Sequence, residues 1–169
     1  MTRRAVVQKW ILYSLCALAL VLVQSLLLVR VQVWGVHPFL LPAIAVIPVT
    51  LERDEGALLF SVFFGLACDL LTPVAGLPCF YALAFLVSGG LAWLLSGRVV
   101  AAGLVCSLAA AASALVVCGV LHLAVLAGSQ SVDVTAAAVL AGKEAALSLP
   151  LTVLVHYPFR RICLLTQWD

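Results

Sequence analysis

The sequence predicts an all-α, polytopic membrane protein, and three observations carry that reading. The 169 residues are 66% hydrophobic and only 9% charged, with a mean hydropathy of +1.26. Apolar runs recur along the chain at lengths that cross a bilayer rather than fill a soluble core. Lysine and arginine gather at the ends of these runs. The length fits a single domain. A net charge of +2, with basic residues not interleaved with aromatics, gives no footprint for nucleic acid.

Six spans follow in order. Residues 10–29 form an uncharged run after Arg3, Arg4 and Lys9. The opening TRRAVVQK looks like a twin-arginine signal with a cleavage site at Ala17-Leu18-Ala19. The apolar run continues ten residues past that point, which favours a retained helix. Cys16 follows Leu15, where a lipobox needs a small residue, so lipidation there is not expected. Residues 30–37 make an amphipathic connector with Gln32 and Trp34. The second run, 38–51, contains Pro42 and Pro48, each of which removes a backbone hydrogen bond. It reads as a kinked or partly unwound span shielded by its neighbours, with a re-entrant or interfacial segment as the alternative. Glu52, Arg53, Asp54 and Glu55 place four of sixteen charges in one turn, read as lying in water.

The third span, 56–71, stops at Thr72 and Pro73, and the turn runs on to Pro78. Residues 79–95 form the fourth, ending before Arg98, and residues 99–126 the fifth, whose 28 residues should tilt or begin before the hydrocarbon. A polar turn at 128–133 leads into the sixth, 134–159, which is followed by Arg160 and Arg161. Six crossings return the chain to its starting side. That side then carries Arg3, Arg4, Lys9, Arg53, Arg98, Arg160 and Arg161, seven of nine, while the other holds Arg30 and Lys143 lies within a span. Both termini are therefore expected in the cytoplasm.

Asp69 is the residue that most needs explaining, because a carboxylate at the bilayer centre costs about 2.5 to 3.5 kcal/mol on insertion scales. Ala57, Ser61, Gly65 and Asp69 fall four apart on one helix stripe, and Ser88, Ala92 and Ser96 repeat the spacing in the next span. Small residues in such stripes let helix backbones approach closely. The spacing therefore predicts packing faces, with Asp69 turned inward towards a partner in the outer half of the bundle. Among His122, Lys143 and Glu144, Lys143 is the favoured partner, snorkelling outward, over His122. Lys143 and Glu144 are adjacent and point about 100 degrees apart, so they cannot share a face.

Catalytic and metal chemistry are sparse. Cys16, Cys68, Cys79, Cys106, Cys118 and Cys163 contain no C-x-x-C pair, and His37, His122 and His156 stand apart from any cysteine or acid. The cysteines read as small buried hydrophobes, and neither metal nor cofactor is expected. No nucleophile constellation or phosphate-binding loop emerges, so enzymatic activity is not expected.

Gly65-Leu66-Ala67-Cys68-Asp69-Leu70-Leu71, followed by Pro73 and Gly76, resembles the G-L-x-x-D-L-L segment of the MreD family of bacterial rod-shape-determining membrane proteins. The chain length and the charged turn before the third span are similar too. The resemblance implies a non-enzymatic scaffold in the bacterial inner membrane that links lateral peptidoglycan synthesis to cell shape. Its partners would be an MreC-like protein, with MreB, RodA and a class B penicillin-binding protein. Gly65, Asp69, Pro73 and Gly76 would be structural or interaction residues of the matched segment, and Lys143 and Glu144 join them on their intramembrane charge alone. MreD is similar in fold to the substrate-binding S-components of energy-coupling-factor vitamin transporters, which form the alternative. Those tend to carry A-x-x-x-A in the first span; here Val21 follows Ala17 and Val23 follows Ala19.

Overall fold

A computed structural model describes residues 3–72, 79–98, 103–128 and 134–166. Pro73, Gly76 and the turns at 73–78, 99–102 and 129–133 lie outside the described residues. Six α-helices account for nearly all of the rest: α1 (Arg3–Leu26), α2 (Leu41–Glu52), α3 (Glu55–Leu71), α4 (Phe80–Arg98), α5 (Leu104–Gly128) and α6 (Val134–Thr166). Three stretches, Val6–Arg30, Leu104–Gly128 and Thr135–Thr166, are long and apolar enough to cross a membrane. Leu41–Glu52 and Phe80–Ser96 are shorter apolar helices.

The centre of the bundle is α2. Its residues from Leu41 to Thr50 are all buried, and it packs against every other helix. A helix that is apolar all round has no face for solvent, so its neighbours must enclose it. At 12 residues it is about 18 Å long, well short of a hydrocarbon core of about 30 Å. Pro42 sits in the first turn, where its missing amide costs nothing, while Pro48 lies inside the helix. Shielding by neighbours is therefore complete, but the helix begins only at Leu41 rather than Pro38.

Contacts along the helices fix their directions. Lys9 of α1 meets the end of α2 at Glu52, and Gln24 near the other end of α1 meets the start of α2 at Leu40. Asp69 near the end of α3 meets the start of α4, Ser107 near the start of α5 meets Thr50, and Ser148 of α6 meets Phe39. The six helices thus alternate in direction, and α1 begins at the end of the bundle where α6 finishes. That end is called the Lys9 end, and the opposite one the Glu144 end.

Between α1 and α2, a 3-10 turn at Leu28–Arg30 leads to a two-residue reversal. Val33 and Val36 exchange backbone hydrogen bonds at 3.1 Å, with Trp34 and Gly35 both at positive φ, 56° and 77°. That pair of angles is the tight hairpin turn suited to glycine; Trp34 tolerates it and stands exposed at the tip. The connector is thus a turn rather than an amphipathic element.

α3 packs closely on α4 through Ser61 and Gly65, and Ala57 on the same stripe is buried too. The Ser61 hydroxyl donates to the Phe85 carbonyl at 3.0 Å. A Cβ at Gly65 would lie 2.7 Å from the Ala82 Cα and 2.7 Å from the Tyr81 carbonyl oxygen, both backbone atoms that cannot step aside. On α4, Ser88, Ala92 and Ser96 are likewise buried. Gly65→Ala is therefore expected to destabilise the fold by about 1 to 3 kcal/mol by overpacking. Gly90→Ala, where a Cβ meets nothing within 4 Å, is expected to be neutral or mildly stabilising through helix propensity. Unfolding of both variants in detergent measures the difference.

Candidate functional site

Asp69 does not pair with Lys143. Its two carboxylate oxygens instead accept the backbone N–H groups of Tyr81 and Ala82, at 2.8 and 2.9 Å. These amides belong to the first turn of α4, whose four leading N–H groups have no partner within the helix. Cys79, just before the helix, has φ 64°; its carbonyl accepts from Leu83 at 3.1 Å, but it has no side-chain oxygen to cap the amides of the first turn. A carboxylate from the neighbouring helix does what a local serine or aspartate does elsewhere, and its charge complements the positive end of the helix dipole. Gly65, one turn earlier, lets α3 come close enough for that bond. Lys143 lies on the exposed side of α6 and makes no ion pair among the described residues.

At the Lys9 end, polar side chains were brought together that the sequence reading kept apart. The Lys9 ammonium, 5% exposed, donates to Glu52 Oε2 at 2.6 Å, and the fully buried Tyr13 hydroxyl donates to Glu52 Oε1 at 2.8 Å. Glu52 therefore does not simply lie in water with its neighbours: its side chain is 12% exposed and held from α1. Asp54 keeps a local role as the N-cap of α3, accepting from the Ala57 amide at 2.8 Å. The missed signal is a stripe on the first span, where Lys9, Tyr13 and Ala17 fall four apart and Gln24 follows seven later on the same face.

One layer deeper, the Ser107 hydroxyl lies 3.1 Å from Thr50 Oγ1 and 2.9 Å from His156 Nδ1, all three buried. Thr50 already donates its proton to the Ile47 carbonyl at 2.8 Å, so it accepts from Ser107. Ser107 in turn accepts from His156, which assigns the proton to Nδ1 and leaves Nε2 buried without a partner. As a nucleophile and base the pair is arranged the wrong way round: the imidazole donates to the hydroxyl and cannot take its proton there. Three helices are tied by this chain, which makes it a registry device.

At the Glu144 end, α4, α5 and α6 enclose a cavity of about 250 Å³ with Phe39 on its wall. Glu144 is half-buried on its lining and His122 is exposed at its edge, with the Phe80 ring 6.0 Å away and perpendicular. Phe39 is fixed by its amide, which donates to Ser148 Oγ at 2.8 Å, while Leu40 N–H donates to Gln24 Oε1 at 3.1 Å. No group of three or more metal-ligating side chains occurs among the described residues. Of the cysteines, Cys68, Cys106, Cys118 and Cys163 are buried, Cys16 is half-buried and Cys79 is exposed.

No known protein family, curated protein or solved structure matches the chain.

Asp69→Ala strips the caps from two amides at the start of α4 and is expected to cost about 1 to 2 kcal/mol in detergent unfolding. Hydrogen exchange at Tyr81 and Ala82 should quicken with it, while Lys143→Ala changes neither and adds nothing in the double mutant. Lys9→Met leaves the Glu52 carboxylate buried against an apolar stem and is expected to cost about 3 to 5 kcal/mol. Lys9→Met combined with Glu52→Met should recover part of that loss, because no charge is then stranded although the Tyr13 hydroxyl loses its Glu52 acceptor; unfolding of the single and double variants in detergent checks both.

Proposed function

We propose that this chain is a non-enzymatic membrane scaffold of the MreD type. On this reading it crosses the bacterial inner membrane six times, with the Lys9 end and both termini in the cytoplasm. It links an MreC-like partner to MreB, RodA and a class B penicillin-binding protein during lateral wall synthesis. The observation that carries the proposal is the docking of α3 on α4. The residues that resemble the family segment, Gly65 and Asp69, are spent on packing and capping, which is what a rigid platform requires. Antiparallel helices with Arg53 and Arg160 at the Lys9 end agree with cytoplasmic placement of that end.

A surface for the partner's membrane helix lies between α1 and α3. These touch through the Trp10 and Phe60 rings, 5.9 Å apart. An apolar groove of about 250 Å³ remains between them, lined by Ala17, Leu18, Val21, Phe64 and Ala67. Small residues on such a wall allow close approach of another helix. The cavity at the Glu144 end favours the second reading, an S-component of an energy-coupling-factor transporter.

Depletion in a rod-shaped host is expected to give rounded cells, and capture in mild detergent to recover the MreC-like partner. Ala67→Phe should lower that recovery without lowering the amount of folded protein. Asp54→Cys and Gln130→Cys, in a background without the native cysteines, should label from opposite sides of the membrane. Normal rods after depletion, together with capture of ABC-type ATPases, would move the assignment to the transporter.

A further inference from the structure

The cavity at the Glu144 end has a chemistry that the scaffold reading does not use. Three aromatic residues border it at steep angles: the Phe39 and Tyr81 rings stand 6.3 Å apart at 44°, and those of Phe80 and Tyr81 5.2 Å apart at 86°. Into this aromatic wall α6 sets one carboxylate. Among the described residues the Glu144 side chain makes no hydrogen bond and no ion pair. Among the described residues no lysine or arginine lines the space, and the adjacent Lys143 is on the exposed side of the helix. The nearby acid, Asp69, is already committed to the Tyr81 and Ala82 amides. His37, ahead of α2, has its Nε2 3.1 Å from the Gln32 side-chain amide and its Nδ1 buried without a partner among the described residues.

Glu144 is half-buried with its carboxylate open to the cavity, and a positively charged ligand there would give it the partner it lacks. Aromatic faces attract the same ligand, because their quadrupoles favour a cation within about 6 Å. An anion would meet the Glu144 carboxylate with no lysine or arginine on the described lining to offset it. A volume of about 250 Å³ is below the roughly 300 to 1,000 Å³ of drug-sized sites, so the group accommodated is small.

We propose that this cavity is a binding site for an organic ammonium group, contributed by a free small amine or by the headgroup of an aminophospholipid. Glu144 pairs with the ammonium, and Phe39, Phe80 and Tyr81 surround its hydrocarbon substituents. The site is separable from the scaffold role, which stands or falls by cell shape and partner capture, whereas this site is read by ligand binding.

The experiment uses the full chain in nanodiscs of phosphatidylglycerol alone, titrated by calorimetry with benzylamine, benzyl alcohol and benzoate. Benzylamine is expected to bind about tenfold or more tightly than the neutral or anionic analogue. Glu144→Gln should abolish that preference. Gly119→Leu, which fills the cavity from a position where a Cβ meets only the Ala141 methyl at 3.8 Å, should abolish binding while Glu144 remains. Native mass spectrometry from discs that also contain phosphatidylethanolamine separates the two sources. Retention of that lipid by the parent protein but not by Glu144→Gln identifies the headgroup, and benzylamine binding without lipid retention identifies a free amine. Equal binding of all three probes, an unchanged preference in Glu144→Gln, or neither benzylamine binding nor lipid retention overturns the proposal.

Discussion

The fold depends on satisfying the two ends of a helix that has no access to solvent. Ten consecutive residues of α2 are buried, so its leading amides cannot turn to bulk water without opening the bundle. Gln24 and Ser148 accept from Leu40 and Phe39 at its start, one from the first helix and one from the last. At its finish, Lys9 and Tyr13 hold Glu52. An apolar helix packed in an apolar surround has little to set its height, since lipid tails and leucine side chains are alike in polarity. Polar contacts at both ends supply that height, and the Thr50, Ser107 and His156 chain fixes rotation between them.

The α3 and α4 pair solves the same problem by a different route. Gly65 and Asp69 sit one turn apart and divide the work: one removes bulk so the backbones meet, and the other terminates the orphan amides thereby brought near. Neither suffices alone. With a side chain at 65 the carboxylate would stand off from α4, and with no carboxylate at 69 the close approach would bring uncapped N–H groups into an apolar surround.

Helix content and much of the packing were legible in the sequence because they follow from period and composition. The stripe from Ala57 through Asp69 could be drawn from spacing alone, and the structure turns Ser61, Gly65 and Asp69 into the α3 and α4 contact. What could not be read was which partner a polar side chain takes. Asp69 invited an ion pair because charges are conspicuous in a sequence, whereas the backbone amides that it binds carry no letter of their own. Lys9 and Glu52 were read as flanking charges because each stands beside other charges at a run end, and only the crossing of α1 over the end of α2 brings them together. Trp34 hid a hairpin turn, since bulky residues seldom accept a positive φ and nothing in its type announces one. The cavity at Glu144 is assembled from four separate parts of the chain and leaves no local pattern.

The bond from the Phe39 amide to Ser148 spans 109 positions of the chain. During synthesis at about 5 to 20 residues per second, the start of α2 therefore waits about 5 to 20 s for the side chain that completes it. Gln24 is already made and can hold Leu40 in the meantime, but the Ser148 acceptor of the Phe39 amide and the wall formed by α6 arrive last. The central helix of the finished bundle, like α1 and α5, thus has its environment completed only with α6. Interruption of translation before α6 would leave it half enclosed, a state in which a membrane chaperone or a protease would have something to recognise.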